Sequence, residues 1–338
     1  MRRSAFRLAA AIVMIAAVGN AAQGGDNPAK PADRITIKKM DDRCRVLIGG
    51  ELFTDYIFRG HEKPILYPVI GPCGIGMTRN YPMKSDVPGE AHDHPHHESL
   101  WFAHQPINGV NFWTLQGKHG KCVQDKLLAV ESDGNQGLIR TTNNWVSDKD
   151  AVVFTDTRTI TFRALGSARA IDWEITLEAS HGPVTIGDSK EGTMAIRTHP
   201  ALRLENDPSQ GVTSANGQAV NSEGVRGKDV WGKRADWIDY YGAIDGKVVG
   251  IAILDHPQNP RHPTHWMARE YGFIGANPFG LNAFEGKPKG TGNMTIPAGE
   301  KVTFRYRFLF HEGDPQKANI ARQYADYAES TEARQTKG

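Results

Sequence analysis

Thr157-Arg158-Thr159-Ile160-Thr161-Phe162 and, after a turn at Leu165-Gly166-Ser167, Ile171-Asp172-Trp173-Glu174-Ile175-Thr176-Leu177 decide the fold class. Polar and apolar residues alternate in both. A strand turns successive side chains to opposite faces, so each run builds one buried and one wetted face, the pattern of an antiparallel sheet. The same rhythm extends in both directions. Short β-like runs stand at 35–37, 45–48 and 52–58, and longer ones at 126–132, 137–145, 151–164 and 169–180. Others follow at 234–241, 247–254, 292–297 and 301–311, with Gly-, Asn- and Asp-rich turns between many of them. Only 315–330 reads as helix, with Ala318, Ile320, Ala321, Tyr324 and Tyr327 at helical spacing. No fixed-period repeat is present. The expectation is an all-β protein: one large antiparallel β-sandwich domain over 35–338, closed by one C-terminal helix.

The first residues have a different character. Met1-Arg2-Arg3, an apolar run from Ala9 to Val18 and small residues through Gly24 describe a secretory signal peptide over 1–24. Residues 25–34 read as a flexible, Pro- and Gly-rich leader. Export to the periplasm or the exterior is the corresponding expectation. No later run is apolar enough to span a bilayer, which takes about 20 residues. Forty basic and 38 acidic residues leave a net charge of +2, with no basic stripe interleaved with aromatics, so nucleic acid is not an expected partner. Three cysteines, Cys44, Cys73 and Cys122, cannot all pair within the chain, and no Cys-x-x-Cys suggests a thiolate metal site. The P-loop, dinucleotide, Gly-x-Ser-x-Gly and His-Glu-x-x-His patterns are missing from suitable contexts.

The chemistry concentrates in residues 60–118, a Pro-, Gly- and His-rich region that reads as irregular and ligand-facing. Five of the thirteen histidines fall within 92–104. Imidazoles at this density serve as proton shuttles or metal ligands near neutral pH. His96 and His97 are the candidate proton-handling groups. If a divalent metal is a cofactor, His94, His96 and His97 are its candidate ligands; loop polarity alone is the competing explanation. Arg79 and His104 are candidate substrate contacts, and Trp101 offers a face for a sugar ring, with a core anchor as the competing reading. Farther on, Glu191, Arg197 and His199 are spaced by even numbers and share one face if extended. Glu191 is a candidate acid/base and His199 a further proton carrier, with Arg197 as clamp; the competing reading is a solvated strand face. A third segment, Trp237 to Phe279, holds the loop Asp255-His256-Pro257-Gln258-Asn259-Pro260-Arg261 and Asn277, a candidate substrate contact on an opposite lip.

At His94-Pro95-His96-His97-Glu98-Ser99-Leu100-Trp101-Phe102-Ala103-His104, Asn108-Gly109-Val110-Asn111-Phe112-Trp113, Asp188-Ser189-Lys190-Glu191-Gly192, the Asp255–Arg261 loop and Asn277-Pro278-Phe279 the chain resembles an exported bacterial family of unknown function (DUF6807-type), labelled PmoA-like or "methane oxygenase". The label carries no chemistry here, because a methane monooxygenase membrane subunit has many spans. The resemblance implies a galactose-mutarotase-like supersandwich. Together these features lead to the expectation of a secreted carbohydrate-active protein, a lyase, hydrolase or epimerase of sugars or oxidised glycosides with a small-molecule or glycan substrate. The alternatives are a non-catalytic glycan-binding module and a periplasmic transition-metal protein.

Overall fold

The alternation at 152–177 is realised as two long paired strands, Val152–Leu165 and Ala168–Glu178. Phe154, Ile160 and Phe162 from the first, and Ile171, Trp173, Ile175 and Leu177 from the second, turn inward and are buried. Each such side chain contributes about 1.5–3 kcal/mol of burial. The computed structural model describes residues 31–330. The expected signal peptide lies outside the described residues, as does most of the expected leader; Pro31–Asp33 is a short 3-10 turn, and the first strand starts at Ile35.

Two eight-stranded antiparallel sheets make up the molecule. The first runs in the order 35–39, 43–48, 51–57, 65–69, 100–104, 192–197, 273–277, 265–269. The second runs 218–221, 237–244, 247–255, 301–312, 168–178, 152–165, 136–146, 121–133. A small pair, Val184–Ile186 with Met294–Ile296, stands apart. One continuous apolar core joins the sheets, from Val46, Leu100, Phe102, Met194 and Ile274 on one side to Trp145, Phe162, Trp173 and Phe308 on the other. The all-β sandwich expectation is borne out. The C-terminal helix begins at Ile320, and Ile320 and Tyr327 pack on the outer face of the second sheet against Ala252, Leu254 and Leu309. A second short helix, Leu281–Glu285, is an addition to the one expected.

The region 60–118 is not wholly irregular. It contributes Ile65–Val69 and Leu100–His104 to the middle of the first sheet. With Gly192–Arg197 and Phe273–Asn277 they form short strands buried on both faces. Such strands lack alternation, and for that reason 65–69, 100–104, 265–269 and 273–277 escape a periodicity reading. All three cysteines are free: Cys44 and Cys122 are buried, Cys73 exposed. Among the described residues no helix is long and apolar enough to cross a membrane.

Candidate functional site

Register defines the outer face of the first sheet. Arg197 lies opposite Phe273, which lies opposite Arg269. The next row holds Ile65, Trp101, Ala195, Gly275 and Met267. Small residues at 195 and 275 leave room for large rings above the sheet. Trp101, Trp113 and Phe273 fill that room as an aromatic cluster separate from the inter-sheet core. The histidine loop lies on this cluster. His97 stacks on Phe273 at 4.7 Å and on Trp101 at 5.4 Å; His94 stacks on His97 at 4.6 Å and on Tyr271 at 5.2 Å. His96 meets His97 edge to face at 4.4 Å.

A buried ionic network holds the loop down. Arg197 donates from Nη1 to Nδ1 of His97 (3.1 Å) and from Nη2 to both carboxylate oxygens of Asp93 (2.8 and 3.0 Å). Arg79 donates to the same carboxylate and to the carbonyls of Tyr81, Ala91, His94 and His97. Its donors are spent on the loop, so Arg79 staples 79–97 into one body. Burial opposes ionisation of Asp93, but His94 and the two guanidiniums outweigh it and hold the carboxyl well below its usual range. Burial and the neighbouring Arg79 bring Arg197 down to about 10, still protonated at neutral pH.

The imidazoles divide by role. A guanidinium only donates, so His97 Nδ1 accepts and the ring proton sits on Nε2. Burial, then the Arg197 charge, keeps His97 neutral, well below its ordinary value. His97 therefore carries its one N–H at Nε2. Burial and the charges of Lys63 and His94 lower His96 to about 3. His96 is half-buried, and among the described residues its ring has no hydrogen-bond partner. The stacked rings of His94 and His97, 7° apart, present faces to each other and not lone pairs to a common point. Among the described residues no group of three or more His, Cys, Asp or Glu side chains is placed to hold a metal ion.

Glu191 reaches the same face. It precedes the strand Gly192–Arg197 in phase with Arg197, pairs with Lys190 at 2.8 Å, and its charge acts on Arg269 and Tyr271. Its loop is tied from below. Asp188 accepts from the backbone N–H groups of Asn282, Gly290 and Gly292, and Arg261 donates to the carbonyls of Pro278, Gly292 and Asn293. Asn277 belongs to this scaffold: it is buried, donates to Ser189 O at 3.0 Å and accepts from Phe279 and Gly280. His104 is wholly buried, Nε2 at 2.8 Å from Gly187 O and its ring against Phe279. His199 caps the turn Pro200–Leu202 through Nδ1 and lines a separate hollow of about 290 Å³ with Glu90, Thr213 and Ser214. The structure thus brings His94, His96 and Glu191 to one face, with His97, Trp101, Arg79 and Arg197 buried directly beneath it: Trp101 is covered by His97 and offers no open face to a sugar, and both arginines donate to protein groups. Asn277 and His104 lie in the packing beneath its loops, and His199 faces elsewhere.

Residues 43–325 match a family of unknown function (DUF6807). The chain belongs to that family. No curated protein matches the chain. Among solved structures it is similar to an α-galactosidase from Lactobacillus brevis, at 8% identity and TM-score 0.38, covering 82% of this chain and 39% of that one. It is also similar to a galactose mutarotase-like protein from Lactobacillus casei, at 9% identity and TM-score 0.35, covering 82% and 100%. A galactose mutarotase related enzyme from Lactobacillus acidophilus gives 10% identity and TM-score 0.31, covering 82% and 97%. This DUF6807 chain spans about two fifths of the α-galactosidase's length. Likeness at this level assigns no chemistry.

Sequence reading of this DUF6807 chain misses several members of the face. Asp93 joins both arginines, yet stands in the histidine run as one acid among its neighbours. Tyr271 lies over Arg197 at 4.6 Å and beside Arg269 at 5.2 Å, but precedes a Gly as any turn tyrosine does. His61 and Lys63 form a further cluster with Glu98, which lies more than 30 positions after both. The one available signal is Glu98 itself, the second acid of the His-rich motif.

Proposed function

We propose that the protein takes a sugar on the outer face of the first sheet and acts on it by proton transfer, as a lyase, hydrolase or epimerase of sugars or oxidised glycosides. One observation carries this reading: a neutral, half-buried imidazole whose ring has no hydrogen-bond partner among the described residues, His96, and a part-exposed carboxylate, Glu191, stand on the same face as the Tyr271–His94 stack. A flat, partly exposed ring stack suits the apolar face of a sugar, and flanking acid/base groups suit its hydroxyls. The Arg79–Asp93–Arg197 network pre-sets the histidine loop before a ligand arrives. Export to the periplasm or exterior, proposed from residues 1–24, suits a glycan substrate met outside the cytoplasm.

The test is a panel of neutral, acidic and oxidised mono- and disaccharides. Anomeric or epimeric exchange is followed by NMR, unsaturated products by ultraviolet absorbance and released reducing ends by colour reaction. Turnover of at least one sugar is expected, falling by about 100-fold or more in His96→Ala and in Glu191→Gln, with midpoints of thermal unfolding close to wild type. Sugar binding without turnover, unchanged in both variants, identifies a glycan-binding module instead. Neither binding nor turnover overturns the proposal.

A further inference from the structure

We infer that His61 is a proton-accepting residue of this same face and that Glu98 is its positioning residue; the inference rests on the proton-transfer reading above. His61 Nδ1 lies 2.6 Å from Oε1 of Glu98, and the other carboxylate oxygen lies 2.5 Å from Lys63 Nζ. Lys63 also donates to the carbonyl of His96 at 3.1 Å and sits 5.5 Å above the Trp101 ring. The dyad therefore adjoins the His96–His97 turn, on the aromatic side of the sheet.

The proton between His61 and Glu98 can be placed. Burial resists ionisation of Glu98, but Lys63 and His61 outweigh it and hold its carboxyl below the usual range. An ionised carboxylate only accepts, so Nδ1 of His61 is the donor. In the neutral ring the lone pair is then on Nε2, for which the described residues supply no hydrogen-bond partner. Glu98 and Lys63 are buried, at 7% and 4% side-chain exposure, whereas His61 keeps 21%. A buried acid–base pair orienting one accessible imidazole is the arrangement a general base needs. The other rings serve less well. His97 is buried with its proton on Nε2, and His96, held at about 3, suits a neutral hydrogen-bond acceptor that orients a ligand hydroxyl rather than the group that takes its proton. His94 stands 3.1 Å from the carboxylate of its own neighbour Asp93, which two guanidiniums already engage. In the step assigned to His61, a ligand hydroxyl gives its proton to Nε2. The O–H electron pair stays on the ligand oxygen, and Nδ1–H remains bonded to Glu98.

Two measurements on the full chain test this. Nitrogen-15 NMR of histidine-labelled protein, with the His61 signal assigned by its loss in His61→Gln, is expected to show the neutral ring as the Nδ1–H tautomer with bare Nε2. Glu98→Gln is expected to abolish that tautomer preference, and Glu98→Asp to restore part of it. On the sugar that wild type turns over, His61→Gln is expected to lower kcat by about 100-fold or more with KM changed by less than about threefold. Glu98→Gln is expected to fall between. Full turnover in His61→Gln, or a neutral ring that carries its proton on Nε2, overturns the assignment while leaving the carbohydrate reading intact. Loss of turnover in His94→Gln with His61→Gln unaffected moves the base to His94. Absence of turnover in wild type removes both proposals.

Discussion

His104 stands in the histidine-rich run beside His96 and His97, but its surroundings give it different physics. Its ring is fully buried, and Nε2–H donates to a carbonyl. Burial lowers it to about 4, and the Gly187 bond offsets only part of that shift. In the unfolded chain the same ring titrates near 6.5. Between these values the unfolded state binds a proton that the folded state refuses. The contribution of His104 to stability is therefore complete above about pH 6.5 and is lost as pH falls toward 4. At pH 5 this single residue costs the fold about 2 kcal/mol relative to pH 7. His104→Gln is expected to be less stable at pH 7 and to lose correspondingly less on acidification, measured by denaturant unfolding at both values. Equal losses in the two proteins would show that His104 does not carry the effect. The same residue scale separates what was readable in the candidate site. Histidine density marks the 94–97 turn, whereas the assignment of donor, acceptor and staple depends on partners as remote as Arg197 and Lys63.

Among elements, the strands Leu100–His104 and Gly192–Arg197 show why the centre of the first sheet is hard to read and hard to change. They pair antiparallel, with Gly192 opposite His104 and Ala195 opposite Trp101. Both are buried on both faces, so neither alternates. A Cβ built at Gly192 would stand 2.1 Å from Nδ1 of His104, and that ring is pinned by Gly187 and Phe279. Gly192→Ala is therefore expected to cost about 1–3 kcal/mol in equilibrium unfolding, with part regained in Gly192→Ala/His104→Ala. A neutral single substitution would mean that the ring is free to move. The long alternating strands at 136–178 were legible because one of their faces meets solvent. The central strands of the first sheet carry a loop layer on their outer face, which erases the period-two signal.

At the scale of the whole molecule, the space between the sheets holds a charge pair as well as hydrocarbon. Arg158, part of the run that reads as half-wetted strand, points inward with Asp156, and both are essentially unexposed. Asp156 also accepts from Asn143 and from the indole of Trp145, each at 2.6 Å, and Arg158 approaches Cys122 Sγ at 3.0 Å. Removing one partner strands a buried charge. Asp156→Asn is thus expected to cost about 3–5 kcal/mol, whereas Asp156→Leu/Arg158→Met is expected to recover most of that loss, read as unfolding free energies. A double variant no better than the single would indicate that the pair itself stabilises the sandwich. Sequence by itself determined the class of this protein: period-two patterning punctuated by turn residues permits little other than antiparallel sheets, and the His-rich run advertises a polar surface. Only the tertiary structure decided which strands occupy the sheet centres, which arginines serve as staples, and which imidazoles donate or accept. Those properties arise from burial and from contacts across long sequence separations, and neither is encoded in the spacing of neighbouring residues.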